Sequence, residues 1–488
     1  MTFDLNELIK DTPKGLFIDG QFTDAEDSET FDVLNPSDGS VLTQVASASE
    51  ADARRALDSA EAAQAAWAAT PSRERSEILR RTYEYLKAHE EELTYLQSAE
   101  LGRALPDSKA EVSYGAEFFR WFAEEAVRVR GDYRYAPSGS GRIVTHHQPV
   151  GICLAVTPWN FPLAMGARKI APALAAGCTM IIKPASKTPL TMLFLAKALR
   201  ESGLPDGVLA VLPTAHSSNV SALLDDNRIR KFTFTGSTEV GQMLGEKAAK
   251  SSMKVSLELG GNAPYIVAED ADIETAAKAV AVAKMRGAGQ VCIAANRFIV
   301  HESAKDEFIE RVTEIMGSFT IGRGTDEGVT YGPLSGADQL EKVTELVDDA
   351  VAHGAIVHLG NDLPAGLPGD GFYYPATVLS DFSSDARVNN EEIFGPVLAV
   401  QTFSTDEEAL KIANDTKFGL AAYVFSENLT RALKLAEGVE SGMVAVNKGA
   451  LSDPAAPFGG VKESGLGREG GFEGIYEYLE TKFISLPA

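Results

Sequence analysis

The pattern of apolar and polar positions divides the chain into a helical part followed by two series of strands and helices. Between residues 50 and 127 apolar positions recur at helical spacing, and Ser49 with Asp52 has the spacing of a capping box. From residue 150 short apolar runs alternate with helical segments, which is typical of a doubly wound parallel sheet. We predict strands at 152–156, 179–183, 208–212 and 231–235, and a second series at 263–268, 297–300, 397–403, 421–425 and 443–447. Two series indicate two α/β domains with the active site between them.

One segment interrupts this alternation. Residues 129–150 place a Gly/Ser turn between β-rich flanks, which predicts a hairpin that extends out of the domain. The strand-like end of the chain, 476–486, is a candidate to pair with it.

Length, composition and charge limit the classes of function. A chain of 488 residues predicts two or three domains, at roughly 100–200 residues each. The net charge of −24 argues against nucleic acid as a partner, because such binding needs a basic surface. It also means that an anionic substrate requires a local cationic pocket. No run approaches the roughly 18 apolar residues of a membrane span, and the N-terminus lacks the layout of a signal peptide. We predict a cytoplasmic protein without a membrane partner.

The three cysteines have different contexts. They are too few and too irregularly spaced for a disulfide framework, and we predict no metal site. Cys153 and Cys178 lie in apolar runs, so we interpret them as core residues. Cys292 ends the run Gly289-Gln290-Val291-Cys292 and is the candidate nucleophile, because a thiolate attacks carbonyl carbon well and its acyl adduct hydrolyses easily.

Two glycine-containing segments are candidates for phosphate binding. Gly465–Gly470 has the letters of a dinucleotide fingerprint, but it follows no predicted strand and the chain ends too soon after it, so we reject it. Gly236 and Ser237 follow strand 231–235 and open a helix, whose free N–H groups suit a phosphate. A simple capped turn explains that segment equally well.

Seven segments in order resemble the aldehyde dehydrogenase superfamily over residue 17 to the C-terminus. They are TPWNFP (157–162), AAGCTMIIKPAS (175–186), FTGS (234–237), ELGGNAP (258–264), GQVC (289–292), EEIFGPV (391–397) and PFGGVKESGLGREGG (457–471). The resemblance implies two Rossmann-type α/β domains and a small β oligomerisation element. We assign 1–128 with 151–260 to NAD(P) binding, 261–445 to catalysis, and 129–150 with 470–488 to a homodimer or homotetramer interface.

The resemblance also implies roles for individual residues. The catalytic residues are Cys292 as nucleophile, Glu258 as base and Asn160 as amide donor to the oxyanion. The cofactor-binding residues are Thr157, Pro158, Trp159, Lys183, Ser186, Gly236, Ser237, Leu259, Glu392 and Phe394. Taken singly, Asn160 also fits a helix N-cap before Pro162, Lys183 an ordinary strand end, and Glu258 a solvated carboxylate.

Within the superfamily the chain resembles the succinate-semialdehyde dehydrogenase branch, as at WFAEEAVRVRGD (121–132) and VKESGLGREGG (461–471). Arg168, Arg286 and Ser452 match the residues with which that branch holds the distal carboxylate, and guanidinium groups suit that task. Arg286 also fits a cation at a helix C-terminus. The branch often has a second cysteine where this chain has Ala294, so we expect no regulatory disulfide there. Ala215 stands where the family usually has glycine near the cofactor.

We therefore predict NAD(P)-dependent oxidation of succinate semialdehyde to succinate through a Cys292 thioester. Glutarate semialdehyde or another aldehyde acid is the alternative, because one methylene changes selectivity by only about 10–200-fold. A cofactor-free cysteine hydrolase would need a histidine partner, and none of the seven histidines lies in a matched motif. A non-catalytic relative would be expected to have lost the Cys/Glu/Asn set.

The cofactor prediction is NADP, with NAD possible. In many NAD-specific relatives the third residue after the Lys183 position is a glutamate that repels a 2′-phosphate. Here it is Ser186, which can donate a hydrogen bond to a phosphate, with Lys183 as a nearby positive charge.

Overall fold

The protein is described here from a computed structural model, which covers residues 4–360 and 362–488. Its strands are β1 (Leu16–Ile18), β2 (Gln21–Thr23), β3 (Thr30–Leu34), β4 (Val41–Ala46), β5 (Asp132–Tyr135), β6 (Gly141–Pro149), β7 (Ile152–Val156), β8 (Met180–Lys183), β9 (Leu209–Val211), β10 (Ile229–Thr235), β11 (Lys254–Glu258), β12 (Ala263–Val267), β13 (Ala295–His301), β14 (Ile356–Leu359), β15 (Thr377–Ser380), β16 (Val397–Phe403), β17 (Ala421–Phe425), β18 (Met443–Val446), β19 (Gly465–Leu466) and β20 (Leu479–Pro487).

The α-helices surround and connect these strands. They are α1 (Leu5–Asp11), α2 (Glu50–Ala69), α3 (Ser72–Ala88), α4 (Glu90–Leu101), α5 (Leu105–Glu125), α6 (Ala164–Ala176), α7 (Pro189–Glu201), α8 (Ser217–Ser221), α9 (Thr238–Ala249), α10 (Ile273–Val280), α11 (Lys305–Gly317), α12 (Ala337–Ala352), α13 (Asp406–Asn414), α14 (Leu429–Gly438) and α15 (Glu473–Tyr476). No helix in the described ranges is long and apolar enough to cross a membrane.

The predicted helical part is confirmed as α2 to α5. The capping box is present at its start: Ser49 Oγ accepts from the Asp52 backbone N–H, and the Asp52 carboxylate accepts from that of Ser49. Helices α3 to α7 pack their apolar faces on one side of the first sheet, where Phe119, Phe122 and Leu193 are fully buried. The periodic apolar positions are therefore core positions.

Two large sheets form the centre of the molecule, which confirms the α/β class. The first has the order β19-β11-β10-β7-β8-β9-β1-β2, with a parallel run from β11 to β9. The second has the order β14-β15-β16-β13-β12-β17-β18 and is parallel except for β14. The nine predicted strands all occur, with ends that differ by at most two residues. Their central strands are buried on both faces, as parallel strands between helices are.

The predicted hairpin is also present. β5 and β6 pair antiparallel, and β20 pairs along the other edge of β6 from Leu479↔Pro149 to Pro487↔Gly141. The predicted strand 476–486 begins three residues late, because Glu473–Tyr476 forms the short helix α15. The domain boundaries and the oligomerisation role remain predictions.

Candidate active site

A cleft of about 490 Å³ lies where the carboxyl ends of β7, β10 and β11 face the beginnings of β13 and β16. This edge of a doubly wound sheet is where ligands bind in such folds. The cleft brings together nine of the predicted residues: Pro158, Trp159, Asn160, Gly236, Ser237, Leu259, Cys292, Glu392 and Phe394. Seven predicted residues are not among its lining: Thr157, Lys183, Ser186, Arg168, Arg286, Ser452 and Glu258. Glu258 lies behind the cleft at the end of β11.

Cys292 follows an irregular stretch of backbone. A π-helical turn, Ala281–Met285, continues α10, and after Arg286 the three residues Gly287, Ala288 and Gly289 have φ of +59°, +56° and +74°. An alanine in this region is strained, and a Cβ at Gly289 would lie 2.1 Å from the Gly395 carbonyl oxygen. Cys292 therefore lies at the end of a strained segment, and π-turns are frequent at functional sites.

Side chains from other elements hold this segment. The Asn160 amide donates to the Gln290 carbonyl at 3.0 Å, and the Gln290 amide donates to the Gly287 carbonyl at 3.2 Å. The Ser335 backbone N–H donates to Gln290 Oε1 at 2.9 Å. The helix-cap interpretation of Asn160 is wrong, because α6 begins at Ala164 and its capping position is Leu163.

Burial raises the pKa of the Cys292 thiol to about 12, with Arg168 opposing and Glu392 and Glu258 adding to the increase. A thiol in this setting is neutral near pH 7. Its attack on a carbonyl therefore requires a base nearby, or a bound cofactor that changes the charge around it.

Glu258 is placed by strand register. It is the last residue of β11, opposite Thr235 of β10 and Gly465 of β19, and its side chain is 2% exposed. Neither of its carboxyl oxygens has a hydrogen-bond partner within residues 4–360 and 362–488. Burial first, and the charge of Glu469 second, raise its pKa well above the ordinary range. Glu258 is not a solvated carboxylate, and a raised pKa suits a general base that works near neutral pH.

Glu469 lies beside Glu258, although the sequence did not predict it as a site residue. It accepts from Arg168 Nε at 2.5 Å and from Lys169 Nζ, which also donates to Thr233 Oγ1 at 3.2 Å. Burial opposes ionisation of Glu469, but Lys169 and Arg168 outweigh it and lower its pKa. Glu469 belongs to the rejected Gly465–Gly470 segment, whose Gly465 and Leu466 pair with β11, and this pairing brings Glu469 behind Glu258. A buried carboxylate 211 residues away along the chain has no local sequence signal.

The predicted carboxylate-binding residues lie together. Arg168 is 1% exposed, with its guanidinium carbon 4.0 Å from the Phe458 ring centre. Arg168 Nη1 and Arg286 Nε are buried without a hydrogen-bond partner in the described part of the chain. Burial raises the pKa of Tyr114, and the hydrogen bonds of its hydroxyl with Arg168 and Ser452 act in the opposite direction and lower it. Tyr114 is thus a further member of this cluster, and its place in the interior of α5 gave no sign of that.

On the cofactor side, the Trp159 and Phe394 rings meet edge to face at 5.5 Å. Glu392 accepts from the Gly261 backbone N–H at 3.2 Å, and burial raises its pKa to about 7. Lys284, inside the π-turn, donates to the Ile393 carbonyl at 3.3 Å, and burial lowers its pKa to about 7. Lys284 therefore connects the Glu392 loop with the stretch that leads to Cys292, a link that the sequence pattern did not predict.

Lys183 and Ser186 lie beyond the cleft lining. Lys183 Nζ donates to the Pro184 carbonyl at 3.2 Å, and burial lowers its pKa to about 8. Ser186 is exposed. Lys187, a further candidate for positive charge, donates to Asp338 at 2.6 Å and lies over the Trp159 ring. The described residues contain no group of three or more His, Cys, Asp or Glu that could hold a metal ion.

The turn before α9 opens into the cleft. Ser237 occupies the capping position of α9, and in the described structure its side chain makes no capping hydrogen bond. Gly236 donates to the Glu258 carbonyl at 3.1 Å. The first N–H groups of α9 are therefore available to a ligand, which favours the phosphate interpretation over the simple capped turn.

Comparison with known proteins gives consistent results. The family model described as "Aldehyde dehydrogenase family" matches residues 22–484. A succinate-semialdehyde dehydrogenase of Paenarthrobacter nicotinovorans is 48% identical, over 91% of this chain and 99% of that protein. A glutarate-semialdehyde dehydrogenase of Pseudomonas putida is 42% identical, over 96% and 97%. The crystal structure of an NADP-dependent enzyme of E. coli superimposes with a TM-score of 0.96 at 41% identity, over 98% of each chain.

Proposed function

The chain belongs to the aldehyde dehydrogenase family, and we propose that it oxidises succinate semialdehyde to succinate with a nicotinamide cofactor. The observation that carries the choice of substrate is the pair of guanidinium groups near Cys292. Arg168 and Arg286 both lower the pKa of its thiol, and each has a buried nitrogen without a partner in the described residues. In a protein of net charge −24, two such groups beside the nucleophile suit a substrate with a carboxylate.

The chemistry follows from the positions of three residues. Cys292 Sγ loses its proton to solvent as it adds to the aldehyde carbon, and the oxyanion that forms receives hydrogen bonds from the second N–H of the Asn160 amide and from the Cys292 backbone N–H. A nicotinamide cofactor in the cleft would supply the hydride acceptor, and loss of hydride from the adduct would leave a thioester on Cys292. Glu258 then takes a proton from water, and the resulting hydroxide releases the acid and regenerates the thiol.

The cleft fits a dinucleotide cofactor. The start of α9 at Ser237 suits a phosphate, and Glu392 suits a ribose hydroxyl. Phe394 and Trp159 offer aromatic edges for the nicotinamide ring. Our proposal for the adenosine side is a preference for NADP. Ser186 is exposed and carries no charge, so nothing at that position repels a 2′-phosphate.

The substrate proposal is tested by Arg286→Ala. We expect kcat/KM for succinate semialdehyde to fall about 10–150-fold, which corresponds to the loss of one charge-assisted hydrogen bond. The value for butanal, which has no carboxylate, should change little. Arg128→Ala removes a surface arginine that pairs with Glu125 and is a matched control. Equal losses on both aldehydes would mean that Arg286 supports the fold and not the carboxylate.

A C5 substrate is the second candidate, because the Pseudomonas putida relative is named for glutarate semialdehyde. The ratio of kcat/KM values for the C4 and C5 semialdehydes decides between them. A cofactor-free cysteine hydrolase has no support in the geometry: the part of the chain that the structure describes contributes no histidine to the cleft lining.

The cofactor proposal is tested by Ser186→Glu. We expect the kcat/KM ratio of NADP to NAD to shift toward NAD by at least about tenfold, because a carboxylate repels the 2′-phosphate. Ser186→Ala removes only the hydroxyl and should move the ratio less. A wild-type preference for NAD, or an unchanged ratio, would contradict the proposal.

We also propose that β5, β6 and β20 form a homodimer or homotetramer interface, and we retain a cytoplasmic location as a prediction. This small sheet exposes Tyr135 (69%) and Phe483 (60%), which is unusual for large apolar side chains. Phe483→Asp should lower the mass measured by light scattering, whereas Leu429→Asp, on exposed α14, should not. An unchanged mass for Phe483→Asp would place the interface elsewhere.

A further inference from the structure

Two side chains at the start of α5 reach the two irregular segments of the active site. Arg103 Nη2 donates to the Asn160 carbonyl at 2.5 Å. Asp107 Oδ2 accepts from the Gly287 backbone N–H at 2.6 Å. These contacts connect positions 57 and 180 residues apart in the chain. Arg103 and Asp107 thus contact both the segment that carries Asn160 and the stretch that leads to Cys292.

The third residue of this series is Glu111, four residues after Asp107. Its carboxylate accepts from the backbone N–H groups of Leu163 and Ala164, where α6 begins. Asp107 and Glu111 are four residues apart and lie on one face of α5, and Arg103 precedes the helix by two residues. The series holds both ends of the loop between Asn160 and α6, together with the turn at Gly287.

Arg103 is built into the interior. It is 4% exposed, and its guanidinium carbon lies 4.3 Å from the centre of the Phe161 ring. It therefore holds both residues of the Asn160-Phe161 pair, one by a hydrogen bond and one by its ring face. Asp107 and Glu111 are the carboxylates whose charges act on Arg103. The Arg103 guanidinium is thus buried with its Nη2 on the Asn160 carbonyl, while its Nε and Nη1 have no hydrogen-bond partner among the described residues.

We propose that Arg103 and Asp107 are positioning residues that set the distance between the Asn160 amide and the Cys292 backbone N–H. The inference rests on the proposed function, in which these two groups receive the oxyanion. Neither group lies in a β-strand, so ladder hydrogen bonds do not fix their separation. Gly287, Ala288 and Gly289 have positive φ, and such a turn persists only when surrounding contacts determine it. Donors to an oxyanion must be placed within about 0.5 Å, so a shared support is required.

The test is a double-mutant cycle between Arg103→Met and Asn160→Ala. The readout is the rate of the first burst of reduced cofactor, which reports formation of the thioester. We expect Arg103→Met alone to slow the burst by about 10–100-fold, and Asn160→Ala alone by about 10²–10³-fold. In the Asn160→Ala background, Arg103→Met should slow it by less than about threefold, because the donor that Arg103 positions is already absent.

Asp107→Asn is the companion variant and keeps the shape of the side chain. It should slow the burst by roughly tenfold, with KM for the cofactor unchanged, because it weakens the contact to the Gly287 N–H. Arg75→Met is the matched control. Arg75 also donates to backbone carbonyls, those of Thr70 and Ala175, but at the far end of α6, so its loss should lower the melting temperature and leave the burst rate unchanged.

The outcomes distinguish the positioning role of Arg103 from the proposed catalytic mechanism. If Asn160→Ala slows the burst and Arg103→Met has the same effect with or without it, the positioning role is overturned and the proposed mechanism stands. If Asn160→Ala leaves the burst unchanged, both are overturned. Should Arg103→Met not fold, Arg103→Lys and Asp107→Asn are used in the same cycle, and additivity in either contradicts the inference.

Discussion

Glu258 and Cys292 belong to two halves of the active site that are built differently. Glu258 ends a strand that is paired on both sides, by β10 and β19. Cys292 follows a π-turn and three residues with positive φ, outside any strand. Ladder hydrogen bonds hold the first half, whereas side chains from distant elements hold the second. The position of Glu258 therefore depends on sheet register, and that of Cys292 depends on tertiary contacts.

The electrostatic environments of the two halves differ as well. Arg168 and Lys169 pair with Glu469 and lower its pKa, whereas burial and the charge of Glu469 raise the pKa of the neighbouring Glu258. Burial also raises the pKa of Cys292, and the charges of Arg168 and Arg286 oppose that rise without reversing it. Burial therefore shifts the pKa of both groups in the same direction, towards the protonated form.

The largest expected effect is that of Cys292→Ala. Aldehyde oxidation should fall at least about 10³-fold, because no other group in the cleft can form the thioester. Cofactor affinity should stay close to that of the wild type, because the residues assigned to the cofactor are untouched. Steady-state absorbance at 340 nm and calorimetric titration measure the two quantities. Retention of more than a few per cent of kcat would show that the nucleophile is misassigned.

Glu258→Gln should lower kcat by about 10²–10⁴-fold, the usual contribution of a general base. The loss should fall on hydrolysis of the thioester, so a burst of reduced cofactor near one equivalent per site should survive. Stopped-flow absorbance separates the burst from turnover. Normal steady-state turnover, or loss of the burst together with turnover, would remove Glu258 from the deacylation step.

Gly289→Ala tests whether the half of the site around Cys292 tolerates substitution less well than the half around Glu258. The positive φ alone costs about 1–3 kcal/mol for alanine, and the added Cβ meets the Gly395 carbonyl oxygen. Chemical denaturation should show a loss in the free energy of unfolding of that order, with lower kcat. Gly245→Ala, inside α9 beside β11, is the control and should be neutral or slightly stabilising. Equal losses of unfolding free energy and kcat in Gly289→Ala and Gly245→Ala would show that the stretch before Cys292 is no more sensitive than a helix next to β11.

The smallest effect concerns the pH dependence of the Cys292 thiol. Because burial raises its pKa to about 12, the thiolate fraction and the rate of alkylation by iodoacetamide should rise with pH throughout pH 6–9, by about tenfold per unit. Glu258 adds to this increase in pKa, so Glu258→Gln should make alkylation slightly faster at pH 9. A plateau below pH 8 would show a thiol with an ordinary or lowered pKa. Slower alkylation in Glu258→Gln would indicate that Glu258 deprotonates Cys292 in the resting enzyme.

The sequence predicted the elements that depend on local signals. Apolar alternation indicated β7, β10 and β16, and the Ser49 capping box marked the start of α2, because burial periodicity and capping act over a few residues. Nine of the predicted catalytic and cofactor residues line one cleft, since each follows or precedes a predicted strand. Strand ends at one edge of a parallel sheet meet in space whatever the details of packing.

Only the tertiary structure decided which charges support those residues. The Arg168–Glu469 pair and the Arg103–Asn160 contact join residues 301 and 57 positions apart, and neither follows a helical or strand period. The resemblance indicated that Arg168 binds substrate, but not that the Nε edge of its guanidinium is occupied by Glu469. Buried ionic groups require complete local compensation, and which groups supply it depends on how distant segments pack. The sequence therefore determined the candidate reacting groups and the strands beside them, and packing determined the directions of their pKa shifts and the distances between them.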